Sequence, residues 1–263
     1  MKYVLITGAY GGMGYATVKK LKSEGFCVFA MDKNVKEPEE NVIPICADVT
    51  NEESVCSAAQ KVSAITKELF AIIHFAGVYA LDSLIEMSEE KFERVIKINF
   101  LGAARVNRVF APFVATGGRI VMTTSELAPL SPLPFTGLYA VSKAALDKYA
   151  FSLRMEMQLS GIYVSVIRAG AVDTGMLDVS TTALNRFCEN TKRYKFQSKK
   201  FKKIVDKVEA KKIPPEKIAA MTLKILRKKH PRFAYPVNRN FLLMTFNALP
   251  KSIQFAIIRK VLK

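Results

Sequence analysis

The sequence predicts an α/β protein, a doubly wound parallel sheet with helices on both faces, in one domain spanning residues 1–263. Three observations predict it. Short apolar, β-prone runs alternate with helix-period segments through the first 170 residues, the pattern of βαβ units. A glycine-rich turn joins the first run to the first helix. Half of the 263 residues are apolar, enough for a large core, and no repeat or low-complexity linker divides them. Right-handed crossovers between parallel strands then place helices on both faces of the sheet.

Residues 2–7 form the first apolar run and end at Gly8. Residues 16–24 follow with helical spacing, closed by Gly25. Runs at 26–31 and 42–46 give the second and third strands, and the second ends at Asp32. Residues 52–67 read as a helix and 71–75 as a strand. Residues 88–114 carry apolar positions near the i, i+3, i+4 pattern, with Pro112 near their end. A strand at 119–123, a long helix at 139–159 closed by Gly161, and a strand at 163–168 follow. Beyond Thr174 the chain turns polar and Lys-rich as far as Lys212. After Pro214-Pro215 come a helix at 216–229 and a last strand at 234–237.

The bulk properties exclude several classes. No run of about 18 apolar residues occurs, so no transmembrane helix is expected. The N-terminus enters the first strand with no cleavage site and does not read as a signal peptide. Cys27, Cys46, Cys56 and Cys188 lack metal-ligand spacing, and His74 and His230 are the only histidines. Zinc and disulfide frameworks are therefore not expected, no metal site is assigned, and a reducing, cytoplasmic setting follows. The net charge of +17 is lopsided: residues 186–263 carry 22 Lys/Arg against 4 Asp/Glu. Such asymmetry suggests an anionic surface as partner, or only a solvated basic face.

The segment Thr7-Gly8-Ala9-Tyr10-Gly11-Gly12-Met13-Gly14 lies between a strand and a helix, the Rossmann-type setting for a dinucleotide. Gly8 permits the turn, Gly12 lets backbone approach a pyrophosphate, and Gly14 lets the helix pack closely. The helix N-terminus offers N–H groups and a positive dipole end to the phosphates. Asp32, 18 residues past Gly14, suits a ribose and repels a 2′-phosphate, favouring NAD over NADP; Lys33 beside it is a cation that tolerates phosphate.

Tyr139 and Lys143 stand four residues apart on one helix face. A tyrosine with an ordinary pKa of about 10 is a poor base at neutral pH. A neighbouring ammonium lowers that value and equips the phenol to exchange a proton with a substrate oxygen. With these residues stand Asp48-Val49, Ala76-Gly77, Asn99 in Ile98-Asn99-Phe100-Leu101-Gly102, Ser125, and Gly170-Ala171-Val172-Asp173-Thr174. This ordered set resembles the short-chain dehydrogenase/reductase family over residues 1–175.

The resemblance implies an NAD(P)-dependent oxidoreductase with Tyr139 as proton donor or acceptor, Lys143 tuning it and holding the nicotinamide ribose, and Ser125 bonding the substrate oxygen. It implies that Asn99 holds a water linking Lys143 to solvent. Gly8, Tyr10, Gly12, Met13, Gly14, Asp32, Asp48, Val49, Ala76, Gly77, Val172 and Thr174 are the implied cofactor contacts, with Val172 and Thr174 on the carboxamide. Three departures stand out. His74-Phe75 replaces the family's paired asparagines, and His74 reads as a strand histidine rather than a base. Ala169-Gly170 replaces Pro-Gly. Ser125 lies one residue further from Tyr139 than the family spacing, which makes Thr124 an alternative.

Residues 174–212 read as the substrate cover, with Met176, Leu177, Leu184, Phe187, Phe196 and Phe201 among its lysines. Residues 241–263 form an apolar, basic-flanked tail resembling those of family members acting on retinoids, steroids and other lipids. A lipophilic substrate, a homo-oligomer (dimer or tetramer) and peripheral membrane contact are the expected partners. Packing of the tail on its own domain is the structural alternative. No nucleic acid is expected, since no recognition motif accompanies the basic segment. The alternatives are a non-catalytic dinucleotide sensor or scaffold on the same fold and, from the basic segment alone, a nucleic-acid-binding protein.

Overall fold

The computed structural model describes residues 1–207 and 212–263, and at 176–179 and 207 the backbone alone. The side chains of Met176 and Leu177, expected in the substrate cover, therefore lie outside the described residues, as do residues 208–211 of the same segment.

Seven parallel strands form one sheet: β1 (Lys2–Thr7), β2 (Phe26–Asp32), β3 (Val42–Cys46), β4 (Leu69–His74), β5 (Val114–Thr123), β6 (Tyr163–Ala169) and β7 (Ala234–Val237). Their order is β3-β2-β1-β4-β5-β6-β7. The order reverses between β1 and β4, and the crevice outside the C-terminal ends of the strands at such a switch is the binding place of open α/β sheets.

Helices cover both faces, as expected. On one side lie α1 (Gly12–Ser23) and α8 (Glu216–Arg227); on the other lie α2 (Glu52–Ser63), α4 (Gly102–Phe110) and α5 (Gly137–Met157). Strand alternation feeds both: Val4 and Ile6 of β1 join the α1/α8 core, while Leu5 joins the opposite one. All three are fully buried.

Residues 88–114 form α3 (Glu89–Ile96), a π-helical turn (Lys97–Leu101) and α4 rather than one regular helix. β5 begins at Val114, earlier than the apolar pattern suggests. Gly117, at φ +81°, and Gly118 interrupt the pattern, yet the backbone already pairs Val114 with Leu69 across a register irregularity. The segment after β6 folds into α6 (Gly175–Asn190) and α7 (Lys195–Lys207). The tail is two helices, α9 (Phe241–Ala248) and α10 (Lys251–Leu262), broken at Pro250. Among the described residues, no helix is long and apolar enough to cross a membrane.

Candidate active site

The glycine turn closes onto its neighbours. Gly8 has φ +66°, and a Cβ there would lie 2.5 Å from the Ala76 amide nitrogen. A Cβ on Gly14 would come within 2.0 Å of the Gly8 carbonyl oxygen, and one on Gly12 within 2.5 Å of the Thr174 methyl. The loop after β1, the loop after β4 and the turn before α6 therefore meet with only hydrogens between them. They border a cleft of about 770 Å³, lined by Gly8, Gly12, Met13, Gly14, Asp32, Asp48, Val49, Ala76, Gly77 and Thr174. Its size, its backbone lining and the N-terminus of α1 at its base fit a dinucleotide. Tyr10, Tyr139, Lys143 and Val172 do not line it. The Tyr10 amide instead donates to Asp32 Oδ2 at 3.0 Å. Val172 is buried beside Ile213, bridged to it in parallel.

Asp32 stands at the end of β2, and Lys33 turns away from it to pair with Asp48 at 2.9 Å. Asp48 is held by Thr50, whose amide and hydroxyl both donate to Oδ1, at 2.8 and 2.7 Å.

The four residues expected at the chemistry come from three elements. Asn99 sits in the π turn, a local widening of the helix that recurs at functional positions. Its side-chain NH2 donates to the Val78 carbonyl at 2.9 Å and to Ser142 Oγ at 3.0 Å, and its Oδ1 accepts from the Val78 amide at 2.7 Å. Asn99 thereby locks the loop after β4 to α5. Ser125, just past β5, accepts from the Leu127 amide at 3.2 Å, and its hydroxyl is the neighbour that favours the Tyr139 phenolate. Thr124 is turned the other way: it donates to Asp147, which also holds Arg168 in a two-point ion pair. Ser125, not Thr124, is therefore the hydroxyl at the tyrosine. Lys143 lies one turn along α5 with its Nζ 3.0 Å from the Thr123 carbonyl oxygen and 5.9 Å from the Tyr139 ring centre.

The electrostatics differ from the spacing argument. Burial raises the Tyr139 pKa well above its ordinary value, Tyr79 adds to the rise, and the Ser125 hydrogen bond opposes it. The Lys143 ammonium donates to the Thr123 carbonyl oxygen. Burial also lowers Lys143 itself to about 8. Desolvation is the largest cause of both shifts.

Several contributors escaped sequence reasoning. Tyr79 lines the cleft and packs its ring 4.9 Å from that of Tyr139. It also touches an apolar cluster built from Leu81, Leu184, Phe187, Phe201 and Leu262. Its position just after Ala76-Gly77 was the available signal. Ser142, the partner of Asn99, carried none. His74 is a strand histidine, as expected: its Nε2 lies 2.9 Å from Asn107 Oδ1, and burial lowers its pKa to about 4. An imidazole so disposed stays neutral at physiological pH and joins β4 to α4.

Comparison with known proteins agrees with this geometry. A family model described as short chain dehydrogenase matches residues 2–185. The chain is 35% identical over 197 residues to the uncharacterized oxidoreductase YbbO of Escherichia coli (strain K12), covering 72% of this chain and 73% of that one. It is 27% identical over 232 residues to the 3-ketodihydrosphingosine reductase of Bacteroides thetaiotaomicron, covering 88% and 85%. With the NADPH-dependent 1-acyldihydroxyacetone phosphate reductase of Schizosaccharomyces pombe it shares 32% identity, covering 66% and 60%. A solved short chain dehydrogenase family protein from Francisella tularensis superposes with a TM-score of 0.75 over 90% of this chain and 97% of that one, at 21% identity, a likeness of fold. The matched span to residue 185 contains the whole lining of the cleft and all four residues gathered at Tyr139, so the chain belongs to the short-chain dehydrogenases and is an NAD(P)-dependent oxidoreductase.

Proposed function

We propose that the protein interconverts a carbonyl and an alcohol on a lipophilic substrate, with Tyr139 as the acid–base and NAD(H) preferred over NADP(H). The carrying observation is Tyr79. It lines the dinucleotide cleft, packs on Tyr139 and joins the apolar cluster under α6, α7 and α10. A substrate oxygen reaching Tyr139 beside this wall leaves the rest of the substrate against aromatic and aliphatic side chains. The names of the Bacteroides and Schizosaccharomyces relatives, both reductases of lipid-derived substrates, support the same class.

When bound, the nicotinamide supplies or accepts the hydride. The amides at the start of α1 would hold its pyrophosphate, Asp32 its adenosine ribose, Asp48 and Val49 its adenine, Ala76 and Gly77 the adjoining backbone wall, and Thr174 its carboxamide, while Val172 is buried outside the cleft. Lys143 holds the second ribose. Ser125 donates a hydrogen bond to the substrate oxygen, and Tyr139 gives that oxygen a proton in reduction or removes one in oxidation. Burial keeps the phenol protonated at neutral pH and makes it a weaker acid, so in reduction it starts as the donor and in oxidation it must first lose a proton. Asn99, fixed to Val78 and Ser142, holds the water that passes protons from Lys143 toward solvent.

The NAD preference rests on Asp32 at the cleft, with Lys33, which also lines the cleft, paired to Asp48. Titration with NADH and NADPH decides this point, since the Schizosaccharomyces relative is named as NADPH-dependent. A dimer or tetramer is part of the proposal: α5 leaves Val141, Phe151 and Met155 exposed along its length, and light scattering measures the assembly.

The test is steady-state kinetics with both dinucleotides over steroids, retinoids, long-chain ketones and sphingoid ketones. Turnover confined to the hydrophobic members, abolished by Tyr139→Phe, is expected. Dinucleotide binding with no turnover on any member would instead favour the non-catalytic sensor.

A further inference from the structure

The helices α7, α9 and α10 carry an exposed apolar and basic surface. On α10 one stripe faces the protein: Gln254 and Leu262 are buried, and Ile258 packs with Leu262 against the cluster that contains Phe201. A second stripe, Ile253, Ala256, Ile257 and Val261, repeats at i, i+3, i+4 and i+8 and is exposed. Beyond its edge Phe255 is 68% exposed, and the first turn of α9 presents Phe241 at 76%. An amphipathic helix normally buries its apolar stripe once; α10 has two, and the protein covers one.

α9 runs into α10 at Pro250, and α10 lies against α7. α7 and α10 pack side by side through Phe201, Ile204, Ile258 and Leu262. The junction of α9 and α10 is fastened beneath: the Ser131 amide donates to Asn247 Oδ1 at 2.6 Å, and Lys251 Nζ bonds Ser131 Oγ. Exposed cations interleave with the exposed rings, with Lys195, Lys199 and Lys203 on α7 and Arg259, Lys260 and Lys263 on α10.

The charge selects the occupant. Residues 186–263 hold 22 Lys/Arg against 4 Asp/Glu, so a second copy seated on this face would oppose like charge to like. A nucleic acid would meet the cations but leave the apolar stripe without a partner. A bilayer containing anionic lipid meets both, with headgroup phosphates for the lysines and acyl chains for the apolar side chains.

We propose that the outer faces of α7, α9 and α10 dock the protein on an anionic lipid bilayer. Docking in this pose sets the apolar cover of the site, to which Phe201 and Leu262 belong, at the lipid boundary, where a lipophilic substrate is concentrated. The proposal goes beyond the reaction assigned to the site, and its test requires no turnover, so its outcome is separate from that of the catalytic reading.

The chain contains no tryptophan, so Phe255→Trp introduces one indole on the outer face. The full-length variant is mixed with vesicles of phosphatidylcholine alone or with phosphatidylglycerol, at low and high salt, and both sedimentation and emission are read. The expected result is sedimentation with anionic vesicles only, a blue-shifted indole, and at least a tenfold loss of partitioning at high salt, where screening shortens to about 3 Å at 1 M. Ile253→Ser with Ile257→Ser, both at exposed positions, should abolish the blue shift while leaving the circular dichroism melt intact. Lys199→Glu with Lys203→Glu should abolish sedimentation. Protein that stays in the supernatant with anionic vesicles at low salt overturns the proposal, as does equal binding to neutral vesicles. A blue shift that grows with protein concentration without lipid, or one produced by duplex DNA but not by vesicles, also overturns it, assigning the face to a second copy or to nucleic acid.

Discussion

Replacing Lys143 by Met removes an ammonium from α5 and leaves an unbranched side chain of similar length. Lys143 is 6% exposed and has the Thr123 carbonyl, 3.0 Å away, as its hydrogen-bond acceptor. Burial lowers its pKa from 10.5 to about 8. At about 1.4 kcal/mol per pKa unit, the charged side chain costs the fold about 3 kcal/mol at neutral pH. The variant leaves the Thr123 carbonyl without that donor, a loss of about 1 kcal/mol, so Lys143→Met should be more stable than the parent by about 2 kcal/mol at pH 7. The pH dependence has a fixed sign. Below about pH 8 lysine is protonated in both the folded and unfolded chains, and the folded state carries the full penalty. Between the lowered value and the ordinary one, the unfolded chain binds the extra proton, so the stability of the parent rises with pH and the gap closes. Urea unfolding followed by far-UV circular dichroism, at pH 7 and near pH 10 with no dinucleotide added, measures the gap directly; other titrating groups cancel between the two proteins. Turnover should be lost in the same variant. A variant less stable than the parent at pH 7, or a gap that ignores pH, would falsify the account of Lys143 as a charge held in place against its own desolvation.

Three further outcomes follow from the site. Tyr139→Phe should lower turnover by roughly 10²–10⁴-fold while dinucleotide titration is unchanged, since the ring and its packing on Tyr79 remain; undiminished turnover removes Tyr139 from the mechanism. Asp32→Ala should narrow the difference between NADH and NADPH affinity measured by fluorescence titration, and a wild type that prefers NADPH contradicts the role given to Asp32. Gly14→Ala places a methyl group 2.0 Å from the Gly8 carbonyl oxygen, so the loop must open. A destabilisation of about 1–3 kcal/mol with weakened dinucleotide binding is expected from such overpacking, and an unchanged denaturation midpoint would show that the loop absorbs it.

The strands were legible because each is a short apolar run, and the switch between β1 and β4 follows from the order of the elements. The first half of β5 was not, because its backbone pairs through Gly117 and Gly118, where side chains give no signal. The spacing of Tyr139 and Lys143 was equally plain, and it brought the two to the same end of α5. It carried no information about where the ammonium would point. That direction depends on the Thr123 carbonyl at the end of β5, and the acidity of the phenol depends on Tyr79, which arrives from the loop after β4. Local spacing brings a charge near a ring; the sign of the resulting pKa shift is decided by burial, a property of the assembled fold.

The substrate cover shows the same limit more sharply. Residues 174–212 read as polar and Lys-rich, and in α7 Ser198 and Phe201 are enclosed, Ile204 partly, while lysines fill much of the rest. Lysine is a good helix former and the apolar positions of α7 fall on one side, so both composition and pattern are compatible with the helix. Its position is supplied from elsewhere in the chain. Phe135, a non-glycine residue at φ +67°, brings its ring within 4.5 Å of Phe187, 5.3 Å of Tyr194 and 5.4 Å of Phe201. Glu86 accepts hydrogen bonds from the Thr191 hydroxyl at 2.6 Å and from the amides of Lys192 and Arg193 at 2.9 Å each, which satisfies the backbone of the turn between α6 and α7. Leu262 closes the cluster from the opposite end of the chain. The cover is thus anchored by contacts more than 50 residues away in sequence, and a reading confined to residues 174–212 has no means of finding them.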